Sequence, residues 1–281
     1  MIMSNAKMAE NLRQALLILF LTFLCVVSML PFCWSVSTSL RLPTDSFKMP
    51  PSFFPTKFYY ANYIAVFNRF PFFRFITNSM FVSFMVMALC LIVTTTAAYS
   101  FARINFRGKN IIFMIFMAGL MIPYSATMIS VYIIMSRIRL VGSLWALILP
   151  ASISPLHIFL VRQFMMTIPM SYEEAAEIDG ASRLGIYFRI MVPMSKPVMM
   201  LCALQVFIGS WNNFLAPLIY LSDWNRMTLP VGLRILRGYM GTGNISEILA
   251  GIVVSLVMPI LIYLFGQRYL IEGIALTGVK S

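Results

Sequence analysis

Charged side chains disappear from the chain for long intervals: residues 14–40, 75–102, 110–136, 140–161, 197–222 and 248–267 contain no Asp, Glu, Lys or Arg. A membrane-crossing helix needs ~20 predominantly apolar residues. Each interval is long enough to supply them. The runs are continuously apolar rather than alternating, which fits helices that satisfy their own backbone and disfavours barrel strands. The pattern predicts an all-α polytopic membrane protein with six spans, their cores at 15–34, 75–99, 111–135, 143–165, 198–220 and 245–265.

Composition agrees: 60% of the 281 residues are hydrophobic and 11% charged, too apolar for an ordinary water-soluble domain. Lys7 and Arg13 precede the first run and Ser35-Val36-Ser37 follows it, the outline of a cleavable leader. Its apolar stretch exceeds the ~7–15 residues of such leaders, so it is expected to stay as a span. No repeat or low-complexity tract interrupts the pattern, so one membrane domain over residues 1–281 is expected, with its core at about 75–265. Between the first two spans, residues 37–74 form the longest excursion, rich in Pro, Phe and Tyr. It reads as an extracytoplasmic loop, or as plain chain routing.

The net charge of +12 comes from basic residues scattered among loops, which argues against nucleic acid and for anionic lipid headgroups as the partner. With both ends inside, eleven of the 21 Lys and Arg lie on that side, so charge counting leaves the orientation open. Cys25, Cys33, Cys90 and Cys202 fall inside apolar runs without the close pairing of a metal or redox site, and buried packing is expected for them.

Residues 167–197 differ sharply from the rest. Four of the nine acidic residues, Glu173, Glu174, Glu177 and Asp179, occupy seven consecutive positions. Ser171 with Glu174 has capping-box spacing, so a short helix is expected just after Pro169 and Met170. Gly180 permits a turn. A second helical run then carries Leu184, Tyr187, Phe188 and Met191 toward Pro193 and Pro197. With no His partner or metal cluster beside the carboxylates, docking against another protein suits this segment better than acid–base catalysis.

Two further features bear on transport. Gln205, Gly209 and Asn212, with Asn213 beside them, form a polar stripe in the fifth run. It reads either as the wall of a translocation path or as helix-to-helix hydrogen bonding. Pro123-Tyr124-Ser125 either bends the third run or places the Tyr124 hydroxyl in that path. Trp211 and Trp224 suggest sugar stacking or interfacial anchoring, and the lone His157 reads as a satisfied polar contact. Gly108-Lys109 lacks the rest of a phosphate-binding loop, so no cofactor or metal is expected on this chain and ATP hydrolysis is not expected of it.

The acidic segment resembles that of the inner-membrane permease subunits of ABC importers, especially the MalG-like carbohydrate branch. The family pattern of E-A-A, three residues, G, nine residues and I-x-L-P stands here as Glu174-Ala175-Ala176, Gly180 and Ile190-Met191-Val192-Pro193, with Val192 at the usual Leu. The strings AAYSFARINFRGK (97–109), PLIYLSDWNRMTLPVGL (217–233) and FGQRYLIEGIALTGVKS (265–281) extend the likeness over nearly the whole chain.

The resemblance implies a non-enzymatic transport subunit of a bacterial-type inner membrane, with both termini cytoplasmic. Its implied partners are a second permease, two ATPase subunits or a homodimer that use ATP and Mg, and an external solute-binding protein delivering a sugar-like solute. It makes the segment a coupling helix, with Ser171, Glu174, Ala175, Ala176, Asp179, Gly180, Ile190 and Pro193 as its matched positions. Glu177 stands where members commonly carry a basic residue, so no particular salt bridge is carried over. Outside the resemblance, an ion-coupled secondary transporter is disfavoured because the six charge-free intervals hold no carboxylate. A non-transporting membrane scaffold is the other alternative. An intramembrane enzyme lacks a nucleophile–base pair.

Overall fold

The computed structural model describes the backbone of residues 2–46, 53–55, 57–239 and 244–278, and the side chains of 10–46, 53–55, 57–237 and 244–267. Among the described residues there is no strand. The helices are α1 (Ile2–Ser39), α2 (Ala61–Arg69), α3 (Phe72–Arg103), α4 (Lys109–Ala118), α5 (Tyr124–Arg137), α6 (Trp145–Ala151) and α7 (Pro155–Thr167). They continue with α8 (Ser171–Ile178), α9 (Arg183–Ile186), α10 (Val192–Met194), α11 (Lys196–Trp211), α12 (Leu215–Tyr220), α13 (Leu229–Tyr239) and α14 (Ile245–Gly278).

Three of the expected spans are single apolar helices, within Glu10–Ser39, Phe72–Arg103 and Ile245–Gln267. The other three are broken. Lys109–Met121 meets Tyr124–Arg137 at 108°, Trp145–Ala151 meets Pro155–Thr167 at 41°, and Arg183–Met194 meets Lys196–Trp211 at 74°. Proline stands at or beside each break: it removes a helical N–H, and the residues before Pro123 and Pro155 are extended. Pro123 sits extended (φ −65°, ψ 141°) ahead of α5, at the 108° break. Pro155 opens α7, and Pro197 lies in the first turn of α11. The fifth span is corrected: instead of running over 198–220, α11 stops at Trp211, and α12 restarts at Leu215.

By internal contacts the chain forms two compact units, Met1–Phe70 with Leu236–Val254, and Pro71–Ile235 with Ser255–Ser281. In the first, every residue of α1 from Glu10 through Pro31 is exposed. Cys25 and Cys33 lie on this helix and are exposed as well, whereas only Cys90 and Cys202 are buried. The expectation of four buried cysteines fails because an apolar run shows only that a helix avoids water, not that protein covers it. After α1, the buried Asn62 of α2 donates to the carbonyls of Ser39 and Arg41, both at 2.8 Å, and fixes the start of the excursion. Arg69 pairs at 3.1 Å with the buried Glu247 at the start of α14.

The second unit is built on α3. Its buried positions Phe72, Phe75, Ser79, Val82, Val86, Cys90, Thr94, Ala98 and Phe101 recur every three or four residues, one continuous helical face. Towards its start this face packs with Met135, Leu147, Ile148, Val206, Ala216 and Tyr220. Towards its end it packs with Val161, Met165, Ile168, Ile186, Tyr187, Met191 and Cys202. The string at 217–233 serves this packing. Asn78 donates to the carbonyls of Asn225 (2.9 Å) and Met227 (3.0 Å), Arg74 donates to Asn225 Oδ1 (2.8 Å), and the Leu229 N–H donates to Ser79 Oγ (2.8 Å).

Candidate functional site

The acidic segment leaves α7 at Thr167 through extended Ile168 (φ −72°, ψ 127°), and α8 begins after Met170. The helix starts where expected, but without a capping box. Met170 holds the cap position in an already helical conformation, no side chain caps the helix, and the Glu173 and Glu174 N–H groups bond the Met170 carbonyl at 2.9 and 3.0 Å. Ser171 is the first helical residue rather than the cap. Glu173 and Glu174 in the first turn complement the helix dipole.

The other end is a Schellman motif. The Ala181 N–H reaches back to the Ala176 carbonyl (2.9 Å), the Gly180 N–H bonds the Glu177 carbonyl (3.0 Å), and Gly180 takes φ +79°. A Cβ at Gly180 meets nothing within 4 Å, so the glycine is required here by backbone conformation and not by packing. Ser182 then caps α9, accepting the Gly185 N–H at 3.2 Å. A π-helical turn over Tyr187–Met191 leads into Pro193.

Eight residues of helix present two faces. Glu173 is buried and Ala176 packs against the cluster of Val161, Met165, Ile186 and Tyr187. Ser171, Tyr172, Glu174, Ala175, Glu177, Ile178, Asp179 and Gly180 are exposed, Ile178 at 87%. Leu184, on the following turn, is 70% exposed. Ile190 is half-buried and Pro193 exposed. An isoleucine set in open surface among carboxylates has no role in this chain's own packing.

Two residues outside the matched coupling positions, Arg103 and Glu173, hold the helix in place. Arg103, the last residue of α3, pairs with Glu173 across 2.7 Å, and both side chains are about nine-tenths buried. Arg103 also donates to the Ile168 carbonyl and, at 3.0 Å, to Met170 Sδ. Burial pushes the Glu173 carboxyl above the ordinary carboxylate range. Arg103 opposes that shift and Glu177 adds to it. Higher in the same cluster Thr95 Oγ1 lies 2.8 Å from Tyr187 Oη, and the Tyr99 and Tyr187 rings are 5.3 Å apart. The signal for Arg103 was available: it is the cation that closes the charge-free interval 75–102.

The residues considered for a transport path divide between two environments. Gln205, Gly209 and Asn212 are exposed, and Gln205 and Gly209 line a groove of about 480 Å³ with Leu201, Leu204, Ile208 and Tyr263. Asn213 is turned to a local task, since its Oδ1 accepts the Ala216 N–H (3.4 Å) at the start of α12. Tyr124, half exposed, lies beside the Tyr220 hydroxyl. Trp211 is buried and stacks on Phe207 at 5.9 Å, while Trp224 is exposed. His157 Nδ1 lies 2.7 Å from Ser154 Oγ. Among the described residues no group of His, Cys, Asp and Glu could hold a metal ion.

Residues 91–271 match the family described as the binding-protein-dependent transport system inner membrane component. The chain is 32% identical over 269 residues to the arabinooligosaccharides transport system permease protein AraQ of Halalkalibacterium halodurans, covering 95% of this chain and 96% of that protein. It is 30% identical to the sulfoquinovosyl glycerol transport system permease protein SmoH of Agrobacterium fabrum, covering 92% of each. The crystal structure of a bacterial ABC transporter that imports the acidic polysaccharide alginate contains a chain of the same fold. The TM-score is 0.82 at 21% identity, over 93% of this chain and 98% of that one.

Proposed function

Because the chain belongs to the family of binding-protein-dependent transport system inner membrane components, and is thus a multi-pass permease subunit without an ATPase site of its own, we propose that it forms half of the path for an oligosaccharide or related polyhydroxylated solute in an ATP-driven importer. Relatives named for arabinooligosaccharides, sulfoquinovosyl glycerol and galactooligosaccharides support the solute class. The order of the strings at 97–109, 217–233 and 265–281 supports membership over nearly the whole chain. The chain acts as one permease domain, with both termini and α8 on the cytoplasmic side. A second permease, a pair of ATPase subunits and an external solute-binding protein complete the assembly.

In this reading α8 is the coupling helix. The observation that carries it is the two-faced geometry: Glu174, Ala175, Ile178, Asp179 and Gly180 stand exposed for a partner, while Glu173 and Ala176 are locked into the core of α3 and α7. A partner that moves Ile178 therefore moves the ends of two spans instead of bending a loop. A conformational change is driven only by a partner that binds the two states unequally, and a braced helix converts that difference into motion of the bundle. The exposed amides of Gln205 and Asn212 are the polar groups offered to solute hydroxyls.

The test is ATP-dependent uptake by the reconstituted assembly, with the sequence of residues 171–180 scrambled in a parallel preparation. The scrambled form is expected to insert but to lose both ATPase association and uptake. Unchanged association and uptake would refute the coupling role. Screening the assembly's solute-binding protein against a glycan library identifies the solute, and binding of amino acids or metal ions alone would refute the carbohydrate class.

A further inference from the structure

We propose that a basic pocket between the end of α3, the start of α4 and α7 binds the phosphate headgroup of an anionic phospholipid. The pocket has a volume of about 570 Å³, and its polar lining is Asn105, Lys109, Asn110 and Arg162. No carboxylate lines it, and neither Lys109 nor Arg162 takes part in an ion pair among the described residues. Both cations are nonetheless held in place. Arg162 Nε donates to the Phe101 carbonyl (3.1 Å) with its guanidinium 4.2 Å above the Phe113 ring, and Lys109 Nζ lies 3.5 Å from the Ala102 carbonyl. Two half-buried cations fixed at one cavity without a counter-charge form a site that gains from an anion.

The surroundings select the source of that anion. Under the Arg162 guanidinium lies an aromatic cluster in which Phe101 contacts Phe106, Phe113 and Phe116 at centroid distances of 6.0, 5.4 and 6.0 Å. From the pocket, Ile111, Met114 and Ile115 run down α4 as a stripe, each at least 60% exposed. A phosphodiester at Lys109 and Arg162 would lay its acyl chains along that stripe, which a free phosphate leaves bare. The first turn of α4 adds backbone N–H groups that favour the same charge. The site is independent of the coupling role of α8.

The assembled transporter, released from nanodiscs of mixed phosphatidylglycerol and phosphatidylcholine, is expected to retain phosphatidylglycerol in native mass spectrometry. A membrane-proximal Lys contributes on the order of 1 kcal/mol to anionic-lipid binding, so Lys109→Gln is expected to weaken retention about fivefold. Lys109→Arg is expected to preserve it. Asn110→Asp keeps both cations but adds a negative charge, and is expected to weaken retention even if Lys109→Gln fails to assemble. Equal retention of phosphatidylcholine, or undiminished phosphatidylglycerol in both weakened variants, would overturn the proposal. So would complete displacement by an equal concentration of inorganic phosphate, which would reveal a free-anion site.

Discussion

α1 and α3 are both long, apolar and uninterrupted, yet they solve different problems. From Glu10 through Pro31 α1 is exposed all round, whereas α3 buries one residue in every three or four along its length. The buried face of α3 also carries Ser79, Ser83, Thr94 and Thr95, and it closes at Arg103. A helix that meets lipid needs only to be apolar. A helix that meets protein must also match shapes and satisfy the polar groups it covers. Hydrophobicity therefore locates both spans, while polar residues at helical spacing mark the one on which the core is built.

A series of substitutions and one titration probe that contrast, beginning with the largest effect. Arg103→Ala leaves the Glu173 carboxylate buried without its cation, a change that costs about 3–5 kcal/mol. Thermal unfolding in detergent is expected to shift accordingly, and hydrogen exchange to rise most across residues 168–180. An unchanged exchange pattern would mean that the pair does not brace α8.

Gly232→Ala comes next, because a Cβ there lies 2.2 Å from Phe75 Cδ2 on the buried face of α3. Overpacking of this kind costs about 1–3 kcal/mol. Phe75→Leu is expected to restore part of the loss, which a double-mutant cycle measures.

Gly180→Val forces a β-branched residue to φ +79° and costs roughly 1–2 kcal/mol in the Schellman turn. Asn tolerates that conformation better, so Gly180→Asn is expected to retain more uptake and more ATPase association than Val. Equal loss in both would place the requirement in the contact with the partner instead of in this chain's backbone.

On α1, by contrast, Leu19→Ala and Phe23→Ala remove exposed side chains. Each is expected to stay within about 0.5 kcal/mol of the parent in unfolding assays. A large loss at either would show that α1 is covered in the assembly.

The titration concerns the brace itself. Because burial raises the Glu173 carboxyl, the folded state holds its proton more tightly than the unfolded chain does. Its contribution to stability is therefore complete below the ordinary value of 4.5 and is lost as pH rises through the raised one. Amide protection in residues 171–180, corrected for intrinsic exchange rates, is expected to fall across that acidic interval in the parent. In Glu173→Gln it is expected to stay flat.

Much of the architecture was legible in the chain. Continuous apolar runs longer than a bilayer is thick leave few alternatives to helices, so up to six spans, the start of α8 and the glycine turn after it follow from local pattern and backbone chemistry. The breaks at Pro123, Pro155 and Pro197 are local too.

Other features depend on contacts between residues far apart in sequence. Only the folded chain separates Cys25 and Cys33 on an exposed helix from Cys90 and Cys202 in the core. Only packing turns Glu173 inward while Glu174 faces out, because Arg103, seventy positions earlier, meets one carboxylate and not the other. Asn213 likewise looked equivalent to Asn212 until a restarting helix claimed its oxygen. A side chain's chemistry is written in the sequence, but its environment is set by neighbours that the fold brings to it, and that environment decides whether a charge braces a helix or awaits a partner.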